Sequence, residues 1–184
     1  MQNNHPMEFA EVKNKVFRRF ISKNQLDQVV REMATRIDQD YKGKNPLLLG
    51  VLNGAFIFAA DLIRNLTIPC QISFVKYASY VGTTSTEEVK ELIGLNEGLT
   101  GRHIIVVEDI VDSGITMDHL LKDLKRYKPA SVRLACLFLK PDAFVKSFAI
   151  DYLGMEIPNA FVVGYGLDYD GYGRNLKEIY KLEN

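Results

Sequence analysis

The chain has 184 residues, 47% of them hydrophobic and 25% charged, with 23 Lys plus Arg set against 23 Asp plus Glu. That length and composition fit one soluble globular domain, residues 1–184, with a sizeable core. A net charge of +0 gives no support for a broad nucleic-acid surface, and no apolar run approaches the length of a membrane span, so neither partner is expected.

In chain order, MQNNHPMEF lacks the apolar stretch of a signal peptide, which makes the cytoplasm the expected compartment. KNKVFRR (13–19) is the densest basic run and reads as a solvated strand edge or a subunit contact. In residues 22–40, Ser22 followed by Gln25 forms a capping box, and Leu26, Val29, Val30, Met33 and Ile37 recur at helical spacing. PLLLGVL (46–52) is a continuous apolar run bounded by breakers, as in a strand covered on both faces. IFAADLIRNL then predicts a second helix, and CQISFVKYA (70–78) alternates like a strand with one partly exposed face.

SYVGTTSTEEVKEL (79–92) is polar and breaks the rhythm; it suits a hairpin connection or a mobile lid. GRHIIVVED (101–109) predicts a central strand that Glu108 and Asp109 end. ITMDHLLKDLKRY (115–127) is its helix, with Ile115, Leu120, Leu121 and Leu124 on the apolar stripe. PASVRLACLFL (129–139) is the next strand, and IPNAFVVGYGLDYDGYG (157–173) ends the regular part. Cys70 and Cys136 sit in apolar runs without metal-ligand spacing, as buried free thiols do. Strands alternating with helices on short links argue an α/β fold with a central, mostly parallel sheet flanked by helices.

The chemistry concentrates in VVEDIVDSGITM (106–117), where Glu108, Asp109 and Asp112 follow a buried strand. Carboxylates are costly to desolvate, so these either face water or hold a cation and hydroxyl groups. Ligands of open α/β sheets collect at the carboxyl ends of the strands. Gly114 permits a tight bend, and backbone N–H groups leading into a helix N-terminus make an anion nest. Ser113 and Thr116 add hydroxyl donors. A sugar phosphate fits the pair of features, its phosphate in residues 112–116 and its hydroxyls on the acids. The G-K-[ST] ending of a Walker A loop is missing.

This stretch resembles the phosphoribosyl diphosphate (PRPP) motif of the type I phosphoribosyltransferases. LLLGVLNGAFIFAADL (47–62), ASY (78–80), LFLKPD (137–142) and IPNAFVVGYGLDYDGYGRNL (157–176) resemble its hypoxanthine-guanine branch, in family order. The resemblance implies the type I fold, with a small hood subdomain formed by the N- and C-terminal segments. It also implies transfer of the 5-phosphoribosyl group from PRPP to hypoxanthine or guanine, giving IMP or GMP and diphosphate in purine salvage. Magnesium is the implied cofactor, and a homodimer or homotetramer the implied assembly.

By the same resemblance, Glu108 and Asp109 bind the ribose hydroxyls and order magnesium, and Asp112 is the catalytic base near purine N7. Asp112, Ser113, Gly114, Ile115 and Thr116 hold the 5′-phosphate. Lys140 reads the purine 6-oxo group, Phe161 stacks on the base, and Val162 offers backbone contacts. Asp168 serves a second magnesium and the amino edge of guanine. Leu52, Asn53, Gly54 and Arg174 take the diphosphate, and Ser79 and Tyr80 belong to the lid. One departure is Asn53, where some members carry Lys or Arg; backbone N–H groups of residues 53–55 remain for the diphosphate. The Leu52–Asn53 bond is a candidate cis peptide. Enzymes for adenine, xanthine or a pyrimidine, and an RNA-binding regulator on the same fold, are the alternatives; Lys140 would repel the 6-amino group of adenine.

Overall fold

The computed structural model describes residues 8–76 and 98–183. The predicted lid, Ser79 and Tyr80 included, lies outside the described residues. Strands β1 (Phe9–Val12) and β2 (Lys15–Ile21) form an antiparallel hairpin. Helix α1 (Lys23–Asp40) begins at the predicted capping box: the Ser22 hydroxyl accepts from Gln25 N, and the Gln25 side chain accepts from Ser22 N at 3.0 Å. Its buried face is Leu26, Val30, Met33, Ala34 and Ile37, with Val29 packed at the margin.

β3 (Leu47–Leu52), α2 (Phe56–Asn65) and β4 (Gln71–Lys76) follow, then β5 (His103–Val111), α3 (Ile115–Arg126), β6 (Ser131–Leu139) and β7 (Tyr152–Glu156). Their strands form one parallel sheet of order β4-β3-β5-β6-β7, with β5 at the centre. Alternate residues serve opposite cores. Leu48, Ile105, Val107 and Leu137 pack with α1 and α2, whereas Leu47, Leu49, Ile104 and Val106 pack with Met117, Leu120 and Leu124 of α3. Each fully buried aliphatic side chain of this kind contributes about 1.5–3 kcal/mol, so helices on both faces are what the apolar β3 and β5 runs require.

A second, smaller sheet is antiparallel: β1-β2-β9-β8, with β8 (Val162–Val163) and β9 (Ile179–Leu182) from the C-terminal part of the chain. This is the hood. The basic run 13–19 is therefore not a strand edge. Residues 13 and 14 turn the hairpin, β2 lies between β1 and β9, and Phe17 is fully buried. β9 also shows that regular structure continues beyond residue 173. Ile115 leaves the predicted stripe, 42% exposed, because α3 starts from a left-handed Gly114 that sets the helix phase with Met117 inward. Cys136 is buried, but Cys70 is only half-buried on the chain entering β4; both thiols are free.

Candidate active site

β5 continues past Glu108 and Asp109 to Val111, so these acids lie within the strand rather than ending it. Neighbours on a strand point to opposite faces. Glu108 pairs in register with Cys136 of β6. Its Oε2 is sealed from solvent and has no hydrogen-bond partner among the described residues. Burial, then the Asp109 charge, raises the Glu108 carboxyl well above the usual range. Burial and Glu108 likewise push the Cys136 thiol up. Asp109 is buried, and burial pushes its carboxyl up to about 6, with backbone hydrogen bonds and Arg174 pulling the other way.

The carboxylate of Asp109 lies on the loop that follows β3. A Cβ added to Gly54 would sit 1.7 Å from Asp109 Oδ2, so only glycine fits beneath the acid. The Leu52–Asn53 peptide bond entering this loop is cis. From above, the hood closes on the same loop: a Cβ at Gly166, whose φ is +103°, would sit 2.1 Å from Gly54 O. The hood loop is pinned to α2, where the Tyr165 hydroxyl donates to Asp61 at 2.7 Å.

Arg174 and Asp168 belong to this hood loop. Gly166 N donates to Arg174 O at 3.0 Å, and Arg174 returns a bond from Nη1 to Gly166 O at 2.6 Å. Arg174 Nη2 meets Asp168 Oδ1 at 2.6 Å, while Asp168 Oδ2 accepts from Gly171 N at 2.6 Å. Phe161, just before β8, is 47% exposed. Its ring packs edge-on to Tyr169 at 5.8 Å and 87°, and 6.3 Å from Phe17. Val162 is buried beside it.

At the end of β5, Gly114 bends the chain at φ +79° into α3 and, having no side chain, leaves the N-cap position without one. Helix N-termini carry unpaired N–H donors, which suit an anion. Ser113 Oγ accepts from Ile115 N at 3.4 Å. Lys140, directly after β6, is 8% exposed and donates from Nζ to Asp112 Oδ2 at 2.8 Å. A buried ammonium after β6 and a half-exposed acid in the loop after β5 thus meet next to the bend.

Residues 22–170 match the model of the phosphoribosyl transferase domain. The chain belongs to the phosphoribosyltransferase family. It is 38% identical over 170 residues to the hypoxanthine-guanine phosphoribosyltransferase of Mycobacterium bovis, covering 89% of this chain and 84% of that one. It is 40% identical over 167 residues to the bifunctional protein TilS/HprT of Listeria innocua. That match covers 90% of this chain but spans only 26% of the relative's length. A crystal structure of a hypoxanthine-guanine phosphoribosyltransferase from Bacillus anthracis superposes with a TM-score of 0.84 at 34% identity, covering 96% of this chain and 99% of the other.

Among its described residues, the chain gathers no group of three or more His, Cys, Asp and Glu side chains as a metal cage. Magnesium does not need one: it is held by one or two carboxylates together with substrate phosphates. Asp109, whose carboxylate lies on the Gly54 loop, is a hard oxygen donor of the right kind, which fits an ion shared with substrate. Sequence reasoning missed Phe17 and Tyr169 behind Phe161, and Gly166 above Gly54. The available signal for the last was the spaced glycines of VVGYGL.

Proposed function

We propose that the protein transfers the 5-phosphoribosyl group from PRPP to hypoxanthine or guanine, giving IMP or GMP and diphosphate, with residues 1–184 acting as one catalytic domain. The observation that carries the reading is the Lys140–Asp112 pair, 2.8 Å apart at the loop after the central strand. A 6-oxopurine offers an acceptor at O6 and a donor at N7–H along one edge. A lysine ammonium and a carboxylate are the complementary groups. In the free protein these two groups hold each other; the base replaces that single charge-assisted bond with one bond to each partner.

PRPP places its 5′-phosphate in residues 112–116 and its ribose hydroxyls on Glu108 and Asp109. Its diphosphate lies along the backbone of Leu52, Asn53 and Gly54. Arg174 uses part of its donor fork on Asp168 and Gly166, and a guanidinium has five N–H groups, so donors remain for the diphosphate. Asp109 and Asp168, with Glu108 beside them, would hold magnesium, which when bound neutralises the diphosphate oxygens. The bond from the anomeric carbon to diphosphate breaks, the bond to purine N9 forms, and the N7 proton passes to Asp112. Carboxylates are weak bases, so this proton moves late, as positive charge builds on the purine. Phe161 stacks on the base with its exposed face, and the backbones of Val162 and Asp168 line the far edge. Ser79 and Tyr80 are assigned to a lid that shields the reacting centre from water.

The test is a substrate panel with PRPP, magnesium and each purine base. Hypoxanthine and guanine should form nucleotides, with adenine poorer by about 10²-fold or more, because its 6-amino donor faces Lys140 and leaves buried groups unpaired. A preference for adenine, or turnover that survives full chelation, overturns the reading. The assembly is proposed as a homodimer or homotetramer, which light scattering measures directly.

A further inference from the structure

Residues 140–148, between β6 and β7, cross the phosphate-type loop and are tied to it at both ends. Lys140 N donates to Val111 O at 3.0 Å, and Val145 N donates to Ser113 O at 3.2 Å. Between these clasps the segment folds on itself, with Ala143 N and Phe144 N donating to Lys140 O at 3.1 and 3.2 Å. Lys146 reaches Asp118, in the first turn of α3, at 3.6 Å. Two rings then close over the bend. A Cβ at Gly114 would meet Phe144 at 2.6 Å and Phe148 at 3.2 Å, and the rings pack edge to face with centroids 5.1 Å apart.

Glycine in the left-handed region is the most permissive residue of a chain, so Gly114 does not by itself hold the bend in one shape. N–H donors aimed at an anion are useful only when their directions are fixed beforehand. Phe144 fills the space a side chain would take, and the backbone clasp to Ser113 prevents the loop from lifting away. We infer that Phe144, braced by Phe148, is a positioning residue for the 5′-phosphate seat. The inference rests on the proposed reading of residues 112–116 as that seat.

Calorimetric titration with GMP and with guanosine separates the phosphate contribution from that of the base and sugar. In the wild type, GMP should bind more tightly than guanosine, and the ratio of the two dissociation constants measures the seat. Phe144→Ala should shrink that ratio about tenfold, the scale of a loosened binding geometry, and leave guanosine affinity nearly unchanged. Phe144→Leu, which keeps most of the volume, should restore most of the ratio. An unchanged ratio in Phe144→Ala overturns the inference, as does equal weakening of GMP and guanosine, which marks general structural support. If Phe144→Ala fails to fold, Phe148→Leu is compared instead: a reduced ratio supports the strap and an unchanged one overturns it. If wild-type GMP gains nothing over guanosine, the phosphate-seat reading falls and this inference with it.

Discussion

Glu108 and Asp109 on the parallel sheet and Asp168, Asp170 and Glu178 in the hood are all acids, yet they are held under opposite conditions. The sheet acids are desolvated beyond what their partners offset: Oε2 of Glu108 has no partner among the described residues, and burial pushes the Asp109 carboxyl up to about 6 despite its backbone hydrogen bonds and Arg174. Each hood acid has a donor. Asp168 has Arg174 and Gly171 N, Asp170 has Lys13, and Glu178 has Lys23 N and Arg19. A region that folds around its acids satisfies them internally, whereas one that presents acids to a ligand leaves them costly until the ligand arrives. Replacing a sheet acid should therefore damage function while relieving the fold, and replacing Glu178, a hood acid with no proposed substrate contact, should cost stability and spare function.

Asp112 belongs with neither group, since it is half exposed and paired with Lys140. As the proposed base it should give the largest effect. Asp112→Asn keeps the shape and removes the charge, and turnover should fall by about 10² to 10⁴-fold with little change in PRPP binding at saturating magnesium. Near wild-type turnover with hypoxanthine would transfer the proton to another group.

Gly54→Ala attacks the join between sheet and hood. The added methyl would overlap Asp109 Oδ2, at 1.7 Å, and the loop also lies against Gly166. Displacing the acid and the backbone proposed for the diphosphate together should lower kcat/KM for PRPP by about 10²-fold, the cost of misplacing a site by roughly 1 Å. A normal kcat/KM would mean that Asp109 moves aside without consequence.

The sheet was far more legible in the sequence than the hood. β3 and β5 announce themselves because strands covered on both faces are continuous apolar runs, and Ser22 with Gln25 marks a helix start within four residues. The hood has no such local signature. β2 pairs with β9, so Phe17 meets Leu182 across nearly the whole chain, and its alternation is obscured by Arg18 and Arg19. β7, YLGME, mixes glycine and acid in a short edge strand and gives no clear period. The motif acids were visible as chemistry, but their burial was not: that β5 continues to Val111, and that Glu108 lies beside Cys136, are facts of register. The Lys140–Asp112 contact is of the same type, joining two strand ends that only the sheet order makes neighbours.

Asp109→Asn tests the strained side of the comparison through stability. A carboxyl whose folded value is raised from 3.8 to about 6 holds its proton more tightly in the native state, so its ionisation opposes folding. That penalty is absent below about pH 4, grows through the interval up to about 6, and is complete at neutral pH. The variant should therefore be more stable than the wild type at pH 7–8, by about 1–3 kcal/mol, with the advantage vanishing near pH 4. Its use of PRPP and magnesium should weaken. Urea midpoints across that pH range provide the measurement, and a pH-independent difference would remove ionisation as the cause.

Glu178 tests the satisfied side, and it should give the smallest effect. It sits just before β9, 7% exposed, and its Oε1 accepts from Lys23 N at 3.3 Å, in the first turn of α1. Arg19 of β2 lies 3.9 Å from the same oxygen, and the Tyr180 hydroxyl donates to Oε2 at 3.3 Å. One hood carboxylate thus joins two hood strands to the N-terminus of the helix that covers the sheet, where negative charge is favoured by the helix dipole. Glu178→Gln retains an acceptor for Lys23 N and removes the charge, so the loss should be about 0.5–2 kcal/mol, set by the helix terminus and the long Arg19 pair. No proposed substrate contact involves Glu178, so kcat and both KM values should stay near those of the wild type at temperatures well below unfolding. The stability loss should also shrink in high salt, because Arg19 is partly exposed and screening weakens both charge terms. A stability gain on substitution would place Glu178 with the sheet acids, as a desolvated charge held against the fold, and the division between the two regions would fail at their shared joint.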